Sequence, residues 1–131
     1  MTEQTVPLTA DTVERYVRFW NRATTEQRHS DDEIFASDVV YIAPIGVLTG
    51  TEALAGFAAQ FGGHVGAYEL RPRTQPDVHH DRARLQWELR VGDASFAEGT
   101  DVLTTDSDGR IQSIATFLDR APDGFNLQAH E

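Results

Sequence analysis

The sequence predicts an α+β domain in which three N-terminal helices cover the concave face of a strongly curved, mixed but mostly antiparallel sheet and enclose a pocket. Helical periodicity is confined to the N-terminal half of the chain, and runs of period-two pattern separated by turn signals fill the rest. Parallel neighbours need a crossover after each strand, so strands joined by hairpins argue against a βαβ sheet. The length of 131 residues suits one domain, 1–131, with a core over about 9–120 and an irregular tail over 121–131.

The first helix is predicted to begin at Asp11 and to end near Ala23. Asp11 and Glu14 have the spacing of a capping box. Apolar residues at i, i+3, i+4 and i+7 then form one face, namely Val13, Tyr16, Val17 and Trp20.

Two further helices are predicted from similar capping signals. Ser30 with Glu33 precedes a short second helix that includes Ile34 and Phe35. A third helix begins after Thr49 and is expected to end at Gly62 and Gly63, because glycine readily adopts the positive φ of a helix C-cap.

The strands are predicted from β-branched and aromatic residues with period-two alternation. A short first strand covers 39–42 and ends at Pro44, which cannot donate to a sheet. Turn signals then separate strands at about 68–75, 80–91, 95–105 and 111–118. In the strand at 80–91 apolar residues alternate with charged ones, so one face is apolar and the other is charged.

Composition excludes several classes of function. Eleven basic and twenty-one acidic residues give a net charge of −10, which repels nucleic acid and anionic membranes. The chain has no cysteine, its first twenty residues do not resemble a secretory signal, and it has no apolar stretch long enough to span a membrane. We therefore expect a cytoplasmic protein without nucleic-acid or membrane partners.

Motifs for metals and nucleotide cofactors are not found. The chain contains no phosphate loop, dinucleotide fingerprint, nucleophile elbow or helical pair of zinc histidines. His79 and His80 are adjacent, so on a strand they would point to opposite faces and could not share a metal. We expect no metal and no cofactor, which leaves acidic, tyrosine and other aromatic residues in the predicted cavity.

Three sequence segments resemble the nuclear transport factor 2-like superfamily, and more narrowly its SnoaL-like branch. They are "RYVRFWN" in the first helix, "DVVYIAPIGVLTGTEAL" across the first strand and third helix, and "EGTDVLTTDSDGRIQSIATF" across the last hairpin. The resemblance implies a cone-shaped sheet, a pocket and a homodimer formed through the sheet. Members include ketosteroid isomerases, polyketide cyclases, dehydratases, epoxide hydrolases and proteins without catalysis, so fold alone does not give the reaction.

The resemblance also implies roles for single residues. Tyr16 matches the tyrosine that donates to the oxyanion in ketosteroid isomerases, and Asp101 matches the aspartic acid that shares this role, close to an acid/base aspartate of polyketide cyclases. Ala43, before Pro44, stands where the isomerase has its aspartate general base. Alanine cannot take a proton, so this sequence departs from the isomerase at that position.

Further residues are expected to line the pocket if the predicted faces are right. Leu103 shares a strand face with Asp101, and Glu88 would enter the pocket, and could replace the missing base, only if the charged face of its strand pointed inward. Histidine 79 or 80 could act as a base near the rim. The full set of expected pocket residues is Trp20, Tyr41, Ala43, Phe57, Phe61, Trp87, Glu88, Leu103, Ile114 and Thr116.

Three hypotheses for function follow. The first is an enzyme that transfers a proton on a small apolar carbonyl or polyketide-like compound, with Asp101 as the acid or base and Tyr16 supporting the oxyanion. The second is a noncatalytic ligand-binding or association module, which the alanine at position 43 favours. The third is epoxide or ester hydrolysis, which would need Glu88 and Arg84 to converge with Asp101.

Overall fold

The structure is a computed structural model that describes residues 8–21, 34–66 and 68–121. These residues form two helices and one open, mixed sheet of seven strands. The helices are α1 (Ala10–Asn21) and α2 (Thr51–Val65). The strands are β1 (Phe35–Ala43), β2 (Gly46–Thr49), β3 (Tyr68–Pro72), β4 (Asp77–His79), β5 (Arg82–Val91), β6 (Ala94–Thr105) and β7 (Ile111–Arg120).

Helix α1 begins at Ala10, one residue before the predicted start at Asp11, because Thr9 caps it. The Thr9 hydroxyl accepts from the Thr12 backbone N–H, and the Thr12 hydroxyl accepts from the Thr9 N–H, both at 3.4 Å. This reciprocal pair is a capping box in which threonine replaces the usual Glu or Gln. At the other end, the Asn21 side chain bonds both the N–H and the C=O of Leu70, which fixes α1 on β3.

The prediction of three helices does not hold for the described residues, which contain two. Positions 30–33 of the expected second helix lie outside them, and Phe35 is already in β1. Helix α2 runs through Gly62 and Gly63 to Val65, so the prediction that these two glycines end it is wrong. Gly66, with φ of 85°, provides the left-handed residue that follows the helix.

The sheet has the order β2-β1-β7-β6-β5-β3, and β4 also pairs with β5. Only the β1–β7 pair is parallel among the described strands, so the expected mixed, mostly antiparallel sheet is confirmed. The sequence analysis missed β2, which forms a hairpin with β1 across Pro44 and Ile45. Register shifts interrupt the β1–β7, β5–β6 and β6–β7 pairs, and such bulges bend strands and increase their twist.

The strand expected at 68–75 is two strands. The chain leaves the sheet after Pro72, and Pro76 in the following segment has no N–H to donate to a neighbouring strand. Strand β4 then begins at Asp77 and pairs with the beginning of β5. His80 follows β4 in a turn with φ of 52°, and its Nδ1 lies 3.2 Å from that of His79. The expectation that these side chains point to opposite faces is therefore wrong, because His80 is not in a strand.

Both helices pack on the same face of the sheet. The apolar face of α1 and the buried side of α2 share one core with the inward residues of β1, β5, β6 and β7. None of the helices in the described part of the chain is long and apolar enough to cross a membrane. The layer between helices and sheet is where the candidate site lies.

Candidate functional site

A cavity of about 490 Å³ opens between the two helices and the inner face of the sheet. Its volume falls within the range typical of small-molecule sites. Its lining is almost wholly apolar and aromatic, with few polar groups. The lining residues are Trp20, Tyr41, Ala43, Pro44, Ile45, Phe57, Phe61, Tyr68, Leu70, Trp87, Leu89, Phe96, Ala97, Asp101, Thr116 and Leu118.

Asp101 is the one carboxyl group among these lining residues, and it is only 3% exposed. It lies on the inward face of β6, where Ala97, Gly99 and Leu103 point the same way. The Tyr16 hydroxyl donates to its Oδ2 at 2.6 Å, and the Trp87 indole N–H donates to its Oδ1 at 2.9 Å. Since a carboxylate has about four acceptor positions, these two bonds leave part of its capacity for a ligand.

Burial raises the pKa of Asp101 above its ordinary value, since removal from water disfavours the anion. The hydrogen bonds from Tyr16 and Trp87, with a smaller effect of the nearby Thr116 hydroxyl, lower this pKa and offset only part of the rise. The pKa of Tyr16 is raised well above 10, mainly by burial and then by the Asp101 charge. Tyr16 therefore stays protonated and remains a donor to Asp101 at neutral pH.

Gly99 makes the Trp87 contact with Asp101 possible. Trp87 on β5 is paired directly with Gly99 on β6, and its six-membered ring lies over the glycine. A Cβ at position 99 would overlap that ring and would stand 2.7 Å from the Phe117 carbonyl oxygen. The missing side chain thus lets the indole lie flat on the strand and reach the carboxyl group two residues further on.

Tyr41 and Thr116 bring two hydroxyl groups to the same side of the cavity. Thr116 is the cross-strand partner of Asp101, and Tyr41 lies on the neighbouring strand β1. Within the described part of the chain the buried Thr116 hydroxyl makes no hydrogen bond of ordinary geometry, yet it is close enough to lower the pKa of both Tyr41 and Asp101. The pKa of Tyr41 is raised overall, first by burial and then by the charge of Asp101.

A series of aromatic contacts runs along the cavity wall from Trp20 and Tyr41 to Tyr68. Neighbouring rings have centroids 5.3–6.4 Å apart, in the tilted or edge-to-face arrangements that aromatic pairs prefer. The Tyr68 hydroxyl donates to the Trp20 carbonyl at 2.5 Å, which ties β3 to the end of α1. The rings in contact order are Trp20, Tyr41, Phe57, Phe61 and Tyr68.

The structure brings most of the expected site residues together and leaves four outside the cavity lining. Tyr16 is fully buried and meets the site only through its bond to Asp101. Leu103 and Ile114 have the right strand face, but they are fully buried in the core and do not line the cavity. Glu88 lies on the outer face of the sheet beside Arg90, because the apolar side of β5 points inward.

The arginine expected for hydrolysis and the histidines expected as a base near the rim also lie outside the cavity. Arg84 pairs with Asp77 on the outer face, far from the inward side chain of Asp101. His79 and His80 lie at the exposed β4–β5 turn and do not line the cavity. The described residues therefore show no second carboxylate and no arginine converging with Asp101.

Sequence reasoning missed about half of the cavity lining. The missed residues belong to segments whose neighbouring strands could not be predicted from the sequence. For some of them, the alternation of side chains along the strand did indicate that they point inward. Leu89 shares the inward face of Trp87, and Ala97 shares that of Asp101. The other missed residues are Pro44, Ile45, Tyr68, Leu70, Phe96 and Leu118.

Few chemistries beyond acid–base transfer fit this lining. Within the described ranges, no three His, Asp or Glu side chains come close enough together to hold a metal ion. All eleven basic residues in the sequence are arginines, so the chain has no lysine to form a Schiff base. The cavity offers one carboxyl group and a few hydroxyls as its reactive groups.

The comparisons with known proteins agree with this architecture. A family model described as "SnoaL-like domain" matches residues 13–114. A SnoaL-like family protein from Agrobacterium tumefaciens, provisionally named an isomerase, is 26% identical with a TM-score of 0.77, over 83% of this chain and 95% of that one. No functionally curated protein has a significantly similar sequence.

Two other crystal structures share the fold at lower identity. One is a SnoaL-like protein from Jannaschia sp. CCS1, provisionally named a polyketide cyclase, with 16% identity and a TM-score of 0.68 over 90% of this chain and 92% of that one. The other is a nuclear transport factor 2-like protein of unknown function from Exiguobacterium, with 20% identity and a TM-score of 0.66 over 82% and 98%. With the family model covering most of the chain, this protein belongs to the SnoaL-like domain family.

Proposed function

We propose that this protein is an enzyme of the isomerase or cyclase type that binds a small, apolar carbonyl compound and transfers a proton within it through Asp101. The observation that carries the proposal is a single buried carboxyl group, with a raised pKa, in the wall of an apolar cavity. An acid or base acts best when its pKa lies near the working pH, and burial moves Asp101 in that direction.

The proposed reaction begins with ionised Asp101 taking a proton from the carbon next to the ligand carbonyl. The C–H electrons form a carbon–carbon double bond, and the negative charge moves to the carbonyl oxygen. In an isomerisation, protonated Asp101 then returns the proton to another carbon of the same ligand. In a cyclisation, the enolate carbon attacks a second carbonyl of the ligand, the first carbonyl re-forms, and Asp101 gives its proton to the new alkoxide oxygen. Ala43 supplies no base, so Asp101 would serve both steps.

Tyr16 is proposed to act through Asp101. It is fully buried and its hydroxyl points at Oδ2, so it would hold the carboxyl group in place rather than contact the ligand. The similar proteins from Agrobacterium and Jannaschia, provisionally named an isomerase and a polyketide cyclase, support this class of reaction without naming a substrate.

Proton transfer is testable with 1-tetralone, an uncharged bicyclic ketone with exchangeable protons next to its carbonyl. In D₂O the wild type is expected to accelerate deuterium uptake at that carbon. Asp101→Asn removes the base, and the enzymatic part of the rate is expected to fall roughly 100-fold or more, as is typical of general acid–base groups. Proton NMR of the ketone measures both rates.

Asp93→Asn is the matched control, because Asp93 lies in the exposed β5–β6 turn away from the cavity. It should exchange the ketone at the wild-type rate. If the wild type binds the ketone but exchanges it no faster than buffer does, or if Asp101→Asn keeps the full rate, the catalytic proposal is wrong.

A noncatalytic ligand-binding module is the second candidate. Two observations favour it: Ala43 lines the cavity where the resemblance would place a base, and each Asp101 oxygen already accepts a hydrogen bond from the protein. Binding of the ketone without exchange would select this function.

We also propose that the protein forms a homodimer through the outer face of the sheet. Three large apolar side chains are exposed there: Ile42 (46%), Val47 (63%) and Phe117 (59%). Ile42 pairs with Val47 across the β1–β2 hairpin, and it lies beside Ala115 on β7, two residues before Phe117. An apolar strip of this kind is typical of surfaces that bind another protein, and a second copy offers the same strip.

Phe117→Arg is expected to convert the dimer into a monomer, because it would place a charge within the apolar strip. Light scattering coupled to gel filtration gives the mass of each species. Gln112→Arg adds the same charge at an exposed position of the same strand and should leave the dimer intact. A wild type that is monomeric at high micromolar concentration would refute the dimer.

A further inference from the structure

Three polar side chains occupy consecutive strands on the inner face of the sheet. In the order β1-β7-β6 they are Tyr41, Thr116 and Asp101. Thr116 is directly opposite Asp101, and Tyr41 is paired with Ile114, two residues before Thr116 on the same face. Thr116 therefore lies between the other two, and all three line the cavity.

Among the described residues, the buried Thr116 hydroxyl makes no hydrogen bond of ordinary geometry. Buried polar groups are nearly always bonded, so an unpartnered one at the wall of a cavity needs an explanation. Tyr41 is 7% exposed, and among the described residues the Thr116 hydroxyl is the one side-chain hydrogen-bonding group close enough to lower its pKa, while burial raises it. Two neighbouring hydroxyls thus have unused bonding capacity beside Asp101.

We infer that Tyr41 and Thr116 form the subsite for the oxygen atom of the ligand, next to Asp101. The Tyr41 hydroxyl donates to a carbonyl or hydroxyl oxygen of the ligand, and the Thr116 hydroxyl donates to the Tyr41 oxygen. The Thr116 hydroxyl is already close enough to Tyr41 to lower its pKa, and each bond in such a chain strengthens the next. Tyr41 is the residue that contacts the ligand, and Thr116 is a positioning residue.

The surroundings of this subsite define the class of ligand. The raised pKa of Tyr41 keeps its hydroxyl protonated, so it remains a donor. Among the described residues that line the cavity there is no arginine or histidine, and Asp101 disfavours an anionic group nearby. The ligand is therefore an uncharged compound with a largely apolar body against the aromatic wall and an oxygen function at one end. This inference rests on the proposed function, since it concerns the same cavity.

A pair of probes isolates the oxygen: 1-tetralone and tetralin have the same carbon skeleton, and only the first carries a carbonyl. Affinities are measured by NMR titration of the wild type, Tyr41→Phe, Thr116→Val and Thr116→Ser. Tyr41→Phe should weaken the binding of 1-tetralone roughly tenfold, because it removes one neutral hydrogen bond. It should change the affinity for tetralin less than about twofold. Thr116→Val should weaken the binding of the ketone about threefold. Thr116→Ser keeps the hydroxyl and should bind the ketone with the wild-type affinity.

The tetralin affinity also reports whether each variant retains a folded cavity. The inference is overturned if Tyr41→Phe leaves 1-tetralone affinity unchanged, or if it weakens both probes equally. It falls together with the proposed function if the wild type binds neither probe. If ketone binding depends on Tyr41 and Thr116 while Asp101→Asn leaves deuterium exchange unaltered, the subsite stands and only the catalytic proposal fails.

Discussion

Gly99→Ala is expected to lower the free energy of unfolding by about 1–3 kcal/mol, the usual cost of forcing extra volume into a packed interior. The new methyl group would overlap the Trp87 ring and crowd the Phe117 carbonyl. The backbone oxygen cannot move without distorting the β6–β7 pair, so the indole must shift. That shift would also break its hydrogen bond to Asp101. Urea unfolding followed by circular dichroism measures the loss.

Gly56→Ala is the matched control for this substitution. Gly56 lies inside α2, and a Cβ there would meet nothing within 4 Å. Alanine should therefore be neutral or stabilise the protein by up to about 1 kcal/mol, because glycine is a poor helix former. If Gly99→Ala is as stable as the wild type, then the position of the Trp87 ring does not require a glycine at position 99.

The fold was largely predictable because its signals are local and periodic. The alternation in 82–91 and the turn signals around Gly92 and Gly109 predicted β5, β6 and β7 to within two residues. The errors occur where contacts with residues distant in the sequence determine the structure of a segment. Strand β2 is only four residues long and becomes a strand because β1 lies beside it. Gly62 and Gly63 usually interrupt helices, but here they lie inside α2, which ends at Val65 and is followed by the positive-φ Gly66.

The site was predictable in its centre and less so at its margins. Asp101 was identified from the family resemblance, and its place on an apolar strand face supported this. Thr116 was expected only as a lining residue, and the structure places it directly opposite Asp101. No sequence signal distinguishes a core residue such as Leu103 from a lining residue such as Leu89, since both are inward and apolar. The bond from Tyr16 to Asp101 spans 85 positions and depends on how α1 crosses the sheet. Cytoplasmic location and the lack of nucleic-acid partners stay predictions from composition.

Asp101→Asn is expected to change how stability depends on pH. In the unfolded chain the pKa of this carboxyl is near the ordinary aspartate value of 3.8, and in the folded protein burial raises this pKa. Between these two pKa values the folded state holds a proton that the unfolded state has lost, so wild-type stability falls as pH rises. The slope approaches about 1.4 kcal/mol per pH unit at most, and it returns to zero above the folded pKa. Asparagine has no proton to lose and should lack this decline.

Urea unfolding of the wild type, Asp101→Asn and the exposed control Asp93→Asn from pH 3.5 to 8 measures the effect. Asp101→Asn should gain stability relative to the wild type with rising pH, while Asp93→Asn should run parallel to the wild type. A relative loss with rising pH would contradict the prediction, since it would mean that the bonds from Tyr16 and Trp87 outweigh burial and lower the pKa. The carboxylate would then be a weak base held by its neighbours, which favours a ligand-binding protein. The predicted gain leaves Asp101 as a strengthened base in an apolar cavity, which is what removal of a proton next to a carbonyl requires.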